Sequence, residues 1–98
     1  MKKLKVAWDV DDTLIWNSDT PKWVGIDLLR WFVRLGHERT DLIVWSGGGV
    51  EYAERWCEKL GIDRWVRVIE KGSEEVDIAI DDMDIPPEGV KAKVVIRV

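Results

Sequence analysis

Residues 6–14 read VAWDVDDTL, an apolar run that ends in three carboxylates and a threonine. The apolar part predicts a buried strand over residues 4–10, and Asp9, Asp11 and Asp12 place three negative charges at its end. Like charges held close together cost free energy unless a cation or a proton neutralises them. A solvated acidic turn is the alternative interpretation, and it suits Asp12, whose side chain should point away from those of its neighbours. For Asp9 and Asp11 we expect a positively charged ligand.

The composition is that of a small globular chain. It has 98 residues, 46% of them hydrophobic, and a net charge of -4, so we expect one domain spanning residues 1–98. Because both signs of charge are interspersed, nucleic-acid binding is not indicated. The single cysteine, Cys57, forms no internal disulfide and fits a reducing compartment. No segment approaches the ~20 apolar residues of a membrane span, so we expect a cytoplasmic protein with no membrane partner.

Strand and helix patterns alternate along the chain. Strands are predicted at residues 4–10, 41–45, 66–69, 76–80 and 93–98. One helix is predicted to begin at Thr20-Pro21 and to stop at Gly36, and a second ends at Gly61. Their apolar positions at helical spacing are Val24, Leu28, Trp31 and Leu35 in the first helix, and Val50, Ala53, Cys57 and Leu60 in the second. This order predicts an α/β fold, a small Rossmann-like, mainly parallel sheet of about five strands with helices on its faces and no cap domain.

The polar residues that could take part in catalysis or ligand binding follow the predicted strands. They lie at the edge where ligands bind in open parallel sheets. They are Asp9, Asp11 and Thr13 after the first strand, Ser46 and Gly47 after the second, Lys71 after the third, and Asp81 and Asp82 after the fourth. Carboxylate oxygens at adjacent strand ends suit Mg²⁺. The segment around Ser46 precedes a helix, where N–H groups favour a phosphate, although Ser46 could equally be a helix N-cap. Lys71 could hold a phosphate and a carboxylate, or be a surface lysine in a turn.

Four segments also resemble, in order, the motifs of the haloacid dehalogenase superfamily of aspartate-nucleophile phosphatases. WDVDDTL (residues 8–14) looks like the DxDxT motif, and LIVWS (42–46) is similar to the second motif, a hydrophobic strand ending in Ser or Thr. Lys71 is similar to the third-motif lysine, and IAIDDMD (78–84) to the fourth, which ends in an acidic pair. The resemblance implies an Mg²⁺-dependent phosphomonoesterase and covers nearly the whole chain.

The resemblance implies three catalytic residues. Asp9 attacks phosphorus and becomes an aspartyl phosphate. Asp11 protonates the leaving alcohol and then activates the hydrolytic water. Lys71 balances the charge of the nucleophile and the phosphoryl group.

The remaining roles concern the substrate and the metal. Thr13 is grouped with the substrate-binding residues and steadies the loop, while Ser46 and the Gly47 N–H bind phosphoryl oxygens. Mg²⁺ is held by the Asp9 carboxylate, the Asp11 backbone carbonyl and the acidic pair Asp81 and Asp82, of which Asp82 is favoured as the direct ligand.

Many members of this family carry a cap domain, inserted after the first motif or between the second and third. Neither residues 14–23 nor residues 61–71 are long enough to hold one. Residues 14–23 form only a short flap, in or beside which Trp16 and Trp23 could stack on a substrate ring or plug the edge of the core. Most of the seven tryptophans are expected in the core. The phosphorylated substrate is not identified, and the thin cover predicted near the last strand, together with the many aromatics, suggests a homodimer.

Two other functions remain open. A signalling receiver domain uses similar residues around Mg²⁺, but its phosphoacceptor aspartate precedes its hydroxyl residue and its lysine comes last, an order this chain lacks. The other is a catalytically silent module of the same fold that binds phosphate or a partner.

Overall fold

The computed structural model describes residues 2–83 and 90–98. The elements, in chain order, are β1 (Leu4–Trp8), α1 (Trp23–Val33), β2 (Thr40–Val44), α2 (Val50–Leu60), a 3₁₀ turn (Asp63–Trp65), β3 (Arg67–Val68), β4 (Val76–Asp81) and β5 (Ala92–Arg97). The five strands form one sheet in the order β3-β2-β1-β4-β5, and every neighbouring pair is parallel. The predicted fold class is confirmed, and no cap domain is present in the described ranges.

Both α-helices pack against the same face of the sheet. Val6 and Trp8 of β1 belong to one buried cluster that also receives Leu29 of α1 and Cys57 of α2. From β1 to β2 to β3 the chain advances across the sheet in one direction. Because βαβ crossovers are right-handed, two successive crossovers in one direction place their helices on one face.

The opposite face has a smaller apolar cluster, made by Ala7, Ile43, Trp45, Val76 and Ala79. Towards the amino ends of the strands this face is charged instead. Arg67 donates hydrogen bonds to Asp41 and Glu74, and Lys5 lies 2.9 Å from Glu74. These cations lower the pKa of Glu74 to about 2.

The predicted start of the first helix at Thr20-Pro21 was wrong. α1 begins at Trp23, with Lys22 as its N-cap residue. Pro21 forms an antiparallel bridge with Ile15, and the Lys22 N–H donates to the Leu14 carbonyl. Residues 20–22 therefore form the second half of the flap, paired with its first half, and cannot be part of α1.

The apolar stripe predicted for the first helix is not the one that is buried. Val24 and Trp31 are 54% and 55% exposed, whereas the buried positions of α1 are Gly25, Ile26, Leu29 and Phe32. α1 is apolar on two sides, and periodicity alone did not distinguish them. In α2 the prediction holds, since Ala53 and Cys57 are buried and Gly61 ends the helix in the left-handed conformation.

Most of the tryptophans are in the core, as expected. Trp8 and Trp45 are buried, and Trp56 and Trp65 pack partly buried against the core. Trp16, Trp23 and Trp31 are about half exposed.

The edge strand β5 is thinly covered, with several of its side chains exposed. Part of the segment before β5, where the thin cover was predicted, lies outside the described residues. Within them, no helix has the length and apolar character to cross a bilayer.

Candidate functional site

The loop after β1 folds tightly around one carbonyl. The Val10 carbonyl accepts hydrogen bonds from the N–H groups of Thr13, Leu14 and Ile15, at 3.3, 2.9 and 3.2 Å. Asp12 adopts φ +60°, a left-handed conformation that aspartate tolerates better than most residues. The Asp9 N–H still donates to the Ile80 carbonyl of β4, and the turn that follows keeps the acidic residues at the carboxyl edge of the sheet.

A glycine of α1 lets the helix lie directly against this loop. A Cβ atom at Gly25 would lie 1.8 Å from the Thr13 carbonyl oxygen, so no other residue fits without a shift. Thr13 itself is completely buried, and its hydroxyl has no hydrogen-bond partner among the described residues. This burial favours the predicted role of Thr13 in steadying the loop over direct contact with a substrate.

Lys71, in the segment after β3, reaches the acidic residues at the ends of β1 and β4. Its Nζ lies 3.2 Å from Asp9 Oδ1 and 3.7 Å from Asp81 Oδ2. The turn that carries Lys71 is closed by Ser73, which donates from both its N–H and its hydroxyl to the Glu70 carbonyl. Lys71 therefore lies within the acidic site and is not a surface lysine.

Three carboxylates converge beside this lysine. Asp9, Asp81 and Asp82 each offer an oxygen within 4.8 Å of the others. Burial raises the pKa of Asp9, although the Lys71 ammonium opposes the shift. Burial also raises the pKa of Asp81, with further contributions from a hydrogen bond shared with Asp82 and from the nearby Asp9 charge. One ammonium thus leaves the three carboxylates incompletely neutralised.

The donor set fits a hard divalent cation. Only oxygens are offered, from three carboxylates close enough to share one ion, and such ligands suit Mg²⁺. Both Asp81 and Asp82 belong to the group, so the geometry does not favour one over the other. Asp11 lies outside this group of side chains, and its predicted contribution is through its backbone carbonyl.

Ser46 is not the N-cap of α2, because the cap residue is Gly49. The Ser46 hydroxyl instead accepts a hydrogen bond from the Gly48 N–H at 3.0 Å, and the Ser46 carbonyl accepts one from Gly49. Ser46 is almost fully buried while Gly47 is exposed. Hydrogen bonds within residues 46–49 therefore hold the glycine turn, with Gly47 on its solvent side.

Two residues of this region were missed by sequence reasoning. Tyr52, in the first turn of α2, donates its hydroxyl to Asp11 Oδ1 at 2.6 Å. This contact joins residues 41 positions apart in the chain, and no local pattern signals it.

The second is Lys22, a buried lysine. Its Nζ donates to the carbonyls of Asp12 at 2.6 Å and Val98 at 2.9 Å, and lies 4.6 Å from the Trp16 ring centroid. It ties the acidic loop to the end of β5 and to the flap. A lysine next to a proline carried no signal of burial.

Trp16 and Trp23 are half exposed and lie outside the main core cluster, which does not support a role as core plugs.

Comparisons with protein-family models, with curated proteins and with solved structures found no match to this chain.

Proposed function

We propose that this chain is an Mg²⁺-dependent phosphomonoesterase of the haloacid dehalogenase type, working through an aspartyl phosphate on Asp9. The observation that supports this most directly is the convergence of Asp9, Lys71, Asp81 and Asp82 at the carboxyl edge of the sheet. These residues come from three separate segments, and each matches a different motif of the resemblance. A buried carboxylate paired with a lysine inside an acidic cluster is costly for stability alone, and such arrangements concentrate at functional sites.

In the first half of the reaction, an Asp9 carboxylate oxygen attacks the phosphorus of a phosphomonoester. The Asp9 oxygen–phosphorus bond forms while the ester bond to the alcohol breaks. The leaving oxygen takes a proton from Asp11, which acts as general acid. Lys71 offsets the negative charge of the phosphoryl group and of Asp9 throughout.

In the second half, a water molecule attacks the phosphorus of the aspartyl phosphate. Asp11, now ionised, accepts the proton of that water. The bond between phosphorus and Asp9 breaks, which releases inorganic phosphate and returns Asp9 and Asp11 to their starting states. The hydrogen bond from Tyr52 holds the Asp11 carboxylate in place.

Mg²⁺ would be held by the Asp9, Asp81 and Asp82 carboxylates together with the Asp11 backbone carbonyl. When bound, it supplies positive charge that neutralises the acidic cluster and stabilises a phosphoryl group. Ser46 and the Gly47 N–H are assigned to the phosphoryl oxygens, and the solvent-facing position of Gly47 suits that assignment.

The test is hydrolysis of a generic aryl phosphate, with Mg²⁺ or with a chelator, by the wild type and two matched variants. Asp9→Asn removes the nucleophile. Asp12→Asn changes a neighbouring carboxylate that has no assigned role, at a left-handed position that asparagine also tolerates. We expect Mg²⁺-dependent turnover that is lost in Asp9→Asn and kept in Asp12→Asn.

Turnover that persists in Asp9→Asn would overturn the nucleophile assignment. Binding of Mg²⁺ and phosphate without turnover, on any of a panel of phosphomonoesters, would favour the silent phosphate-binding module instead.

A further inference from the structure

The outward side of α1 carries an apolar stripe, of which only Leu28 packs against the core. Val24, Leu28 and Trp31 follow one another at spacings of four and three residues, which places them on one line along the helix, and Leu35 continues this line in the turn after α1. Val24, Trp31 and Leu35 are exposed and Leu28 is half-buried. The core-facing positions of α1, among them Ile26 and Leu29, are a separate set.

We propose that this outward face of α1, residues 24, 28, 31 and 35, is the interface of a homodimer in which α1 packs antiparallel against α1 of a second copy. The spacing is that of the a and d positions in helices that pack side by side. The inference does not depend on the phosphatase proposal, because none of these residues belongs to the candidate site.

Charge complementarity identifies both the partner and its direction. Asp27 and Arg34 are exposed on the same flank of the stripe, seven residues apart, with Asp27 near its first residue and Arg34 next to its last. A two-fold axis through the middle of an antiparallel pair brings this flank of one helix against the same flank of the other. Asp27 of one copy then lies opposite Arg34 of the second copy, and the reverse pair forms as well. A parallel pair would instead bring Asp27 near Phe32, with no charge match.

The only ion pair that Asp27 forms among the described residues is with Arg30, at 3.7 Å on the same helix. Both side chains are more than half exposed, and such surface pairs contribute little free energy. Exchanging this contact for one with a second copy therefore costs little.

The exposed area matches what a dimer of modest affinity needs. With tryptophan presenting up to ~250 Å², the exposed fractions of the four stripe residues amount to about 300 Å² of apolar surface per copy. That is within the ~300–600 Å² of the largest patch on a typical monomer, a size that often marks an interaction site. Two copies would bury about 600 Å² of apolar surface and, with the flanking charges, about 800 Å², a size typical of weak complexes that bury less than ~1,200 Å².

The test is the mass of the full chain in solution, measured by sedimentation equilibrium over about 1 to 200 μM, a range that suits an interface of this size. We expect the wild type to shift with concentration from 11.4 kDa to twice that mass. Trp31→Lys should remain monomeric. Val94→Lys, at an exposed apolar position on β5, is the matched control and should dimerise as the wild type does.

Because Trp31 packs edge-on against Phe32, its replacement could impair folding, and a second pair of variants avoids this difficulty. Asp27→Arg and Arg34→Asp alone each create two like-charge contacts in the antiparallel dimer, and each should weaken the dimer at least ~10-fold. The double variant restores opposite charges and should return the affinity to within about 3-fold of the wild type.

A wild type that stays at 11.4 kDa throughout overturns the proposal. So does a dimer that Val94→Lys dissociates and Trp31→Lys leaves intact. If the single charge variants weaken the dimer and the double variant does not rescue it, the antiparallel arrangement is overturned.

Discussion

Gly25→Ala should destabilise the protein, although alanine is the better helix former. The new Cβ atom would lie 1.8 Å from the Thr13 carbonyl oxygen, and ordinary contact begins at 3.4 Å. About 1.6 Å of separation must therefore come from moving α1 or the acidic loop. The obstacle is backbone, which is itself fixed by three hydrogen bonds to Val10, so it does not yield as a flexible side chain would.

The magnitude of this effect follows from two opposing contributions. Overpacking costs about 1–3 kcal/mol, and a backbone obstacle places this site at the upper end. Replacing a helical glycine by alanine returns about 0.8–1 kcal/mol. The net loss is about 2 kcal/mol, which corresponds to a fall in Tm of roughly 8–16 °C for a chain of this size.

The assay is thermal unfolding followed by circular dichroism, with Gly47→Ala as the matched control. A Cβ atom at Gly47 meets nothing within 4 Å, so its Tm should stay at or slightly above that of the wild type. If Gly25→Ala melted at or above the wild-type temperature, the close approach of α1 to Thr13 would be refuted. Under the proposed function, the phosphatase activity of Gly25→Ala should also fall by about 100-fold, the scale of a 1 Å misplacement of reacting groups.

Three further changes test the surroundings of the acidic site. Lys22→Met leaves the carbonyls of Asp12 and Val98 without their donor and should lower the free energy of unfolding, measured in urea, by about 2–4 kcal/mol. The control is Lys59→Met, at a lysine stacked on Trp56, which should lower it by less than about 0.5 kcal/mol. Because burial raises the pKa of Asp81, its charge opposes folding above that pKa, and the penalty is relieved as the pH falls through it. With a chelator present, the wild type should therefore have a higher Tm at about pH 5 than at about pH 7.5, and Asp81→Asn should remove most of this difference. A pH dependence of Tm that Asp81→Asn leaves unchanged would contradict the raised pKa of Asp81. Tyr52→Phe removes the hydrogen bond to Asp11 and, under the proposed function, should lower kcat about 10-fold with little change in KM, while an unaltered kcat would exclude a positioning role for Tyr52.

Much of the fold could be predicted because several local signals agreed. The apolar runs that became β1, β2 and β4 each end in polar residues, so the strands and the mainly parallel sheet could be predicted, whereas the order of the strands in the sheet was not predicted. Their bounds differ from the prediction by one or two residues; in β1 the apolar Val10 belongs to the turn after the strand, where its carbonyl accepts three hydrogen bonds. The left-handed glycine at position 61 was also readable, because few other residues end a helix in that conformation.

What could not be predicted depends on contacts between distant residues. The two apolar sides of α1 look equivalent in sequence, and only packing against the sheet decides which one is buried. The start of α1 was misplaced because Pro21 pairs with Ile15 in the flap. The group formed by Asp9, Lys71 and Asp81 followed from the strand ends. The contact between Tyr52 and Asp11 did not, because it depends on how α2 is placed relative to the loop.

The position of β1 at the centre of the sheet has a consequence for folding kinetics. Its pairing with β2 closes a crossover of moderate length, but its pairing with β4 joins residues as far apart as Val6 and Ile78, 72 positions away in the chain. Contacts this distant in sequence form slowly because the entropy of loop closure must be lost first. We therefore expect the like charges of Asp9 and Asp81 to meet late in folding. Their repulsion thus acts mainly on the rate of unfolding, and a cation that neutralises them would lengthen the lifetime of the native state without speeding its formation.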